Sequence, residues 1–516
     1  VEMPKGNYKI PKKINQFKVF FIRDILSKIA NTQYMLINFL EGPFLAFILS
    51  YLVKFYSTES GPDARYLFRY NENITAYLFM SVVVALFMGL TVSAEEIISD
   101  RKILKRETFL NLSRFSYLSS KTAIMIIISA IQTISYILIG NLILGIEGMF
   151  LDYWLVLFSC SLFANMLGLN ISSAFNSVVT IYILIPILLI PQLLLSGVIV
   201  KFDKLNPTLS SQTVVPIAGE MMASRWAFEA LAVNQFKENA FERDYYHYDK
   251  AMSIANYKKN FWVSSMKTNL TMAIKYGQPL KEKDEERAAK RKIDFQEKIN
   301  LVINEIENEV TYLSNLHKQF KQIKSEEIKT ALEKNLNANQ RSSVLKIVAQ
   351  SQQKLKNTES FNSLTAKEIN NTLQIIKDFY IKMYNVFARL KNKKIAYIRS
   401  QENGKKNFID KRDTYQNENL TDLVKNKNEI NKIIEFDGQL VQKSDPIYRD
   451  AKGFRAHFFA PSKQFLGYSL DTFWMNVFVI LGMAFTLFVM LYFNVLKRSL
   501  DWIGEISKMI GLSKSE

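Results

Sequence analysis

A single cysteine, Cys160, stands among 516 residues, and the three histidines, His247, His317 and His457, lie far apart in polar sequence. One thiol forms no intrachain disulfide, and these spacings offer no His/Cys metal centre. No G-(x)4-G-K-[ST] phosphate loop occurs, so the chain cannot by itself cradle ATP. No nucleophile–base set and no metal-ligand helix stands out, so no catalytic residue and no metal residue is assigned. What the sequence has is apolar mass: 48% hydrophobic and 13% aromatic residues, with a formal net charge of +18. The apolar residues are clustered in runs rather than spread periodically, which describes a membrane protein with a polar portion. Much of the basic excess flanks those runs and no nucleic-acid motif accompanies it, so nucleic acid is not an expected partner.

The stretch Glu95–Lys121 is strongly charged and sits between two apolar runs, Ile74–Ala94 and Thr122–Leu144. Each run has the roughly 20 residues that span a bilayer as a helix. The charges between them must therefore sit in water at one membrane face. Arg101, Lys102, Lys105, Arg106, Arg114 and Lys121 place that face in the cytoplasm by the positive-inside rule. The plain reading is a basic loop that only fixes topology. Ile103, Leu104, Phe109 and Leu110 are interleaved with the charges, however, so a helix here is amphipathic and can lie along the membrane. Upstream, Phe17, Phe21, Ile22, Ile25, Leu26 and Ile29 recur among Lys18, Arg23, Asp24 and Lys28, the pattern of an interfacial helix.

Four stretches carry a family resemblance. Glu95, Asp100, Arg101, Lys102, Glu107, Ser116, Tyr117 and Lys121 fit E-(x)4-[DE]-[RK]-K…E, then S-Y-(x)3-K, and resemble the coupling loop of G-subfamily ABC exporters, the white and pleiotropic-drug-resistance group. Gln16, Phe17 and Arg23 resemble the connecting helix of the same exporters. The run Gly168–Phe175, G-L-x-I-S-S-x-F, and the run Pro186, Pro191, Ser196-Gly197 resemble their fourth and fifth spans. Arg225, Phe228, Ala230, Leu231, Asn234 and Phe236 match the family's re-entrant outer segment.

The fold class expected is all-α: a six-helix exporter half-bundle with a large, helical, coiled-coil-like extracytoplasmic insertion between the fifth and sixth spans. Residues 1–32 form a cytoplasmic lead-in and connecting helix. Residues 33–201 hold spans one to five with the coupling loop 95–121, and 202–255 the re-entrant segment. Residues 256–445 form the insertion, and 446–516 the sixth span and a cytoplasmic tail. Because Val1 is not an initiator methionine and no signal peptide is visible, the chain is expected to be part of a longer polypeptide. Within the first span Pro43 is expected to kink the helix and Glu41 to face the bundle interior. In the third, Gln132 and Asn141 are expected to bond between helices.

The polar region 256–445 departs from the family. Apolar residues recur at spacings of three and four from Phe295 to Ile323 and again from Ile369 to Leu390. The expectation is two long antiparallel helices packed seam to seam, with shorter helices near Val344–Val348 and Leu423–Ile434.

The resemblance also implies function. The loop, through Glu95, Asp100, Arg101, Lys102, Arg106 and Glu107, docks on an ABC nucleotide-binding domain, which carries the ATP and Mg; this chain holds no cofactor. A second membrane half, most simply an identical copy, encloses a cavity lined by Val84, Met88, Ile183 and Ile187. Val198 and Ile199 form an apolar gate above it. Met88 stands where the family has a substrate-clamping aromatic, and a flexible thioether is a poor clamp. Arg225, Phe228 and Asn234 mark the re-entrant segment. The substrate expected is lipid-like or amphipathic, exported across the cell (inner) membrane from a multi-pass protein with both termini cytoplasmic. The insertion could engage an extracytoplasmic envelope protein. An alternative is a mechanotransmission or scaffold protein that acts through the insertion without passing substrate.

Overall fold

A computed structural model describes residues 11–56, 66–107, 112–278, 285–321, 346, 363–451 and 453–509. It is mostly helical and divides into two compact units. The first comprises Val1–Asn239, Asp413–Leu420 and Ala451–Glu516; the second comprises Ala240–Arg412 and Thr421–Asp450. Apart from Lys346, the expected helix near Val344–Val348 falls outside the described residues, as do the seam residue Ile323, Phe109 and Leu110.

The first unit opens with α1 (Lys13–Ala30), α2 (Thr32–Val53) and α3 (Ile74–Ala94). There follow α4 (Glu96–Glu107), α5 (Arg114–Leu144), α6 (Phe150–Ala174) and α7 (Val178–Leu194). A short helix, α8 (Ile217–Glu220), and α9 (Ala223–Lys237) complete its N-terminal part. Among the described residues, five helices are long and apolar enough to cross a membrane: α2, α3 with its extension through Arg106, α5, α6 and a later helix, Thr472–Tyr492. The expected fifth span is the 17-residue apolar α7, which stops at Leu194 rather than running on to Val200.

Small residues let these helices approach closely. A Cβ on Gly89 of α3 would press on the Ser161 carbonyl of α6, and one on Gly42 of α2 would sit 2.9 Å from the Gln132 carbonyl of α5. Next to Gly42, Pro43 lies within α2 without ending it. Polar bonds then fix register between the apolar faces. Gln132 Nε2 donates to the Asn38 carbonyl at 3.1 Å, and Asn165 Nδ2 to Ser129 Oγ at 2.6 Å. Asn141 is also buried, but its amide finds no partner among the described residues. Cys160 is buried in α6. The α1 helix presents Ile14, Val19, Ile22, Leu26 and Ile29 as an exposed apolar stripe and turns Gln16 and Phe20 inward.

In the second unit α10 (Tyr246–Tyr257) runs through a π-helical turn, Lys258–Trp262, into α11 (Val263–Gly277). Two long helices follow, α12 (Glu285–Lys321) and α13 (Ser363–Ser400), then α14 (Gly404–Tyr415) and α15 (Glu418–Val424). The two long helices expected to pack seam to seam do not build this core by themselves. Trp262, Val263, Met266 and Leu270 of the first run share one core with Val302 and Ile306 of α12 and with Ile369, Leu373, Ile376 and Tyr380 of α13. The bundle thus has a third member, which begins at Tyr246, ahead of the expected boundary at 256. Its π turn brings Lys258 and Trp262 onto buried acids of α12. Lys258 pairs with Glu309, and Trp262 Nε1 donates to Glu305 Oε2 at 2.6 Å.

The expected helix Leu423–Ile434 is also corrected. After Val424 the chain turns through Asn426 at positive φ and forms a hairpin, β1 (Ile433–Phe436) with β2 (Gln439–Gln442). Asp437 and Gly438 both have positive φ, as a two-residue turn matched to strand twist requires. A second hairpin, β3 (Ser462–Phe465) with β4 (Tyr468–Asp471), belongs to the first unit and precedes α16 (Thr472–Tyr492) and α17 (Val495–Met509). Among the described residues the fold is therefore helical with two small antiparallel hairpins.

Candidate functional site

The charged stretch that separates α3 from α5 becomes a helix, α4, after a one-residue break at Glu95. That break rotates the helical phase. Glu95 is left exposed, hydrogen-bonded to Tyr182, while Glu96 is buried. Three helices then bring charge to one point. Lys121 Nζ of α5 lies 2.9 Å from Asp24 Oδ1 of α1, 3.1 Å from Glu96 Oε2 and 2.9 Å from Asp100 Oδ2 of α4. Lys28 of α1 pairs with the other oxygen of Glu96 and donates to Tyr34 Oη at 3.2 Å. Tyr117 Oη donates to Asp100 Oδ2 at 3.0 Å. Three carboxylates thus share two ammonium groups in a nearly closed pocket. Burial makes each of these charges dependent on the others.

Neighbouring contacts hold the same helices by their ends. Arg101 of α4 reaches the terminal carbonyls of α6, at 3.1 Å from Ser173 O and 2.8 Å from Phe175 O, and also contacts Asn176. A cation there satisfies orphan carbonyls and complements the helix dipole. Ser172 Oγ accepts the Ile97 and Ile98 amides at 3.0 and 3.1 Å, which caps the start of α4. Gln16 Oε1 accepts the Ser113 amide at 2.7 Å, and Ser116 Oγ donates to the Lys13 carbonyl at 2.8 Å, which joins α1 to the start of α5. Arg114 donates to the Leu491 carbonyl at the end of α16 at 2.9 Å.

Of the six expected coupling residues, Asp100 and Arg101 lie in this inner network, while Lys102 and Arg106 are exposed on the outer side of α4 with Ile103. Glu107 ends α4, and its side chain falls outside the described residues. Asp24, Lys28, Tyr34 and Glu96 were missed by sequence reasoning. Their signal is a spacing: Asp24/Lys28, Glu96/Asp100 and Tyr117/Lys121 are each four residues apart, so each pair shares a helix face.

The expected cavity residues separate. Met88 is 1% exposed inside the bundle and Val84 is half-buried, whereas Ile183 and Ile187 of α7 are 60% and 54% exposed. Met88 is thus packed inside the bundle in this conformation. Its neighbour Phe87 is exposed instead, with Met80. The α7 stripe Val179, Ile183, Ile187, Ile190 and Leu194 is open along its length. Val198 and Ile199 lie in the turn after α7, where Gly197 takes positive φ; Ile199 is exposed and Val198 half-buried.

The α9 segment carries a second buried ionic group. Arg225, Glu229 and Lys463 are each 0% exposed. Lys463 Nζ lies 2.5 Å from Glu229 Oε2 and donates to Asn476 Oδ1 of α16 at 2.8 Å. Arg225 lies 3.4 Å from both Glu220 and Glu229 and stacks over the Trp226 ring at 4.1 Å. Burial, with Arg225 beside it, pushes the Lys463 ammonium down to about 8, against the pull of Glu229. Arg225, Lys463 and two hydrogen bonds outweigh burial at Glu229 and hold its carboxyl below the usual range. Phe228 packs edge-on to Phe79 of α3 at 5.7 Å, and Asn234 is buried near the end of α9.

Residues 15–236, from α1 through nearly all of α9, match the family model described as the membrane domain of ABC-2 type transporters. With the apolar helices described above, the match supports a multi-pass membrane permease of ABC-2 type over that stretch. The second unit lies outside it. No curated protein matches the chain.

Proposed function

We propose that this chain is the membrane half of an ATP-driven exporter of the G-subfamily type, working with an ABC ATPase domain that supplies ATP and Mg. The observation that carries the reading is the two-sided build of α4. Its inner face is tied to α1, α5 and α6 through Glu96, Asp100 and Arg101, while Lys102, Ile103 and Arg106 project from the other side. A push on that outer face is delivered to α5 and α6 as a rigid displacement, because the Glu96–Lys121 tie is short and buried and Arg101 grips the end of α6. ATP-driven closure then biases the bundle between two states.

Two such halves face each other across the open α7 stripe, with Ile183, Ile187 and Val84 on the substrate path and Val198 and Ile199 as an apolar constriction. Wetting of a branched aliphatic ring is unfavourable, and parting it breaks no polar bond. The stripe suits a lipid-like or amphipathic substrate leaving the cytoplasm or inner leaflet of the cell (inner) membrane. Both termini are assigned to the cytoplasm and the second unit to the opposite side, where it engages an envelope protein. The second unit has its own core and buried ionic network. That autonomy also favours a second reading, a mechanotransmission or envelope scaffold that passes no substrate.

Reversal of both charges at Arg106 and Glu107 is the test. Transport is expected to fall to background while the complex still binds ATP and the chain still folds. Transport at the wild-type rate in that double variant would remove α4 as the docking element. Transport-independent function with intact ATP turnover would favour the scaffold.

A further inference from the structure

The second unit is not joined to the first by its two ends alone. Residues Asp413–Leu420 leave it, belong to the first unit, and return. Two helices straddle these crossings. The α14 helix begins in the second unit, where Phe408 packs against Phe241 and Tyr245 at ring distances of 5.4 and 6.4 Å, and ends at Tyr415 in the first. The α15 helix begins at Glu418 in the first unit and ends at the buried Val424 of the second.

Inside the first unit the excursion is bound densely. Arg69 holds Asp413 at 3.2 Å and Glu418 at 2.5 Å, one acid from each straddling helix. Asn417, only 4% exposed, donates to the Phe68 and Asn71 carbonyls at 2.8 and 2.9 Å, and its oxygen accepts the Leu420 amide at 2.8 Å. Asn419 accepts from Thr75, in the first turn of α3, at 2.6 Å. Tyr415 reaches Glu147, in the turn between α5 and α6, at 3.3 Å. Tyr66 adds a bond from the same region to the Leu144 carbonyl at the end of α5, at 2.8 Å. The start of α3, the chain just before it and the turn between α5 and α6 therefore meet at one short segment of the inserted chain.

We propose that Asp413–Leu420 is a strap that carries displacement of the start of α3 and of the turn after α5 into the second unit. The proposal rests on the reading that these helices move during a transport cycle, but its physical core does not. A helix with one end fixed in each unit is a stiff connector, and coupling through it must act equally in both directions. Eight residues of flexible loop would not be built around a buried asparagine and a two-acid arginine.

Hydrogen exchange on the full chain in nanodiscs tests this without any transport assay. Arg69→Ala perturbs only the first-unit side. Exchange is expected to rise on the order of tenfold at 66–75 and 413–420, as follows from losing a charge-assisted tie, and to rise also at 404–412 and 421–427. The reciprocal variant, Phe408→Ala, perturbs the second-unit side and is expected to raise exchange at 66–75. Should Arg69→Ala fail to fold, Thr75→Val with Asn419→Ala removes a more exposed tie and is read in the same segments. A rise confined to the mutated side in either direction, or no rise within 413–420, overturns the strap. An intact strap in a chain that turns over ATP with its partner but moves no substrate would leave the strap standing and remove the exporter reading.

Discussion

Replacing Lys121 with methionine is the sharpest test of the knot between α1, α4 and α5. The ammonium sits within about 3 Å of three carboxylates, Asp24, Glu96 and Asp100, with its own side chain 4% exposed. At an effective dielectric of about 20, each such contact is worth about 5 kcal/mol of gross attraction. Most of that is offset by the cost of desolvating the charges. What remains after one partner is deleted from a buried group is about 3–5 kcal/mol of lost stability. The upper end is expected here, because Lys28 alone would then face three carboxylates. Lys28→Met removes a contact to one acid and is expected to cost less, about 1–3 kcal/mol. The measurement is the denaturation midpoint of the purified chain in one fixed detergent. Adding Asp24→Asn to Lys121→Met should recover part of the loss, since one uncompensated charge disappears, and the resulting double-mutant cycle gives the coupling directly. A cost for Lys121→Met below about 0.5 kcal/mol, the level of an ordinary surface change, would show that the knot does not hold these helices.

Three further outcomes follow from other parts of the chain. Alanine at both Val198 and Ile199 is expected to raise basal ATP turnover or leak with expression unchanged; loss of expression alone would mark the pair as packing. Lys463 is held near 8, below its ordinary unfolded value, so the unfolded chain binds the extra proton between about pH 8 and 10.5 and stability from this group rises with pH across that window. Wild type should gain on Lys463→Gln between those values by up to about 3 kcal/mol, read from unfolding midpoints, and a parallel pair of curves would contradict it. Replacing 240–412 and 421–450, each with a Gly/Ser linker that keeps Asp413–Leu420, is expected to leave the first unit folded but to change the set of co-purifying envelope proteins or transport in cells. An unchanged set with unchanged transport would end the partner hypothesis.

The apolar runs announced their helices because a bilayer-length stretch has few other uses, and α3, α5 and α6 fall close to where hydropathy placed them. The charged stretch was legible as a site but not in its phase. Helical spacing could not tell Glu95 from Glu96, because the break at Glu95 resets which side of α4 turns inward. Hydropathy likewise could not tell the buried Met88 from the exposed Phe87 beside it. In the second unit, Phe295–Leu313 and Ile369–Leu390 declared their seams through regular spacing. The third helix did not, because five residues in a π turn shift the spacing between Tyr246–Tyr257 and the apolar positions of α11. The Asp437-Gly438 turn was a readable hairpin signal, and the apolar spacing from Leu423 to Ile434 masked it.

The ionic knot has a hereditary consequence. Asp24, Lys28, Glu96, Asp100 and Lys121 come from three places in the chain, yet none can change charge alone without stranding another in a closed pocket. Among descendants of this sequence the five positions should be retained or replaced together, with a lost lysine accompanied by a lost acid. Positions 24 and 121 should therefore drift as partners although 97 residues separate them. Lys102, on the open side of the same helix, is free to follow whatever surface it meets.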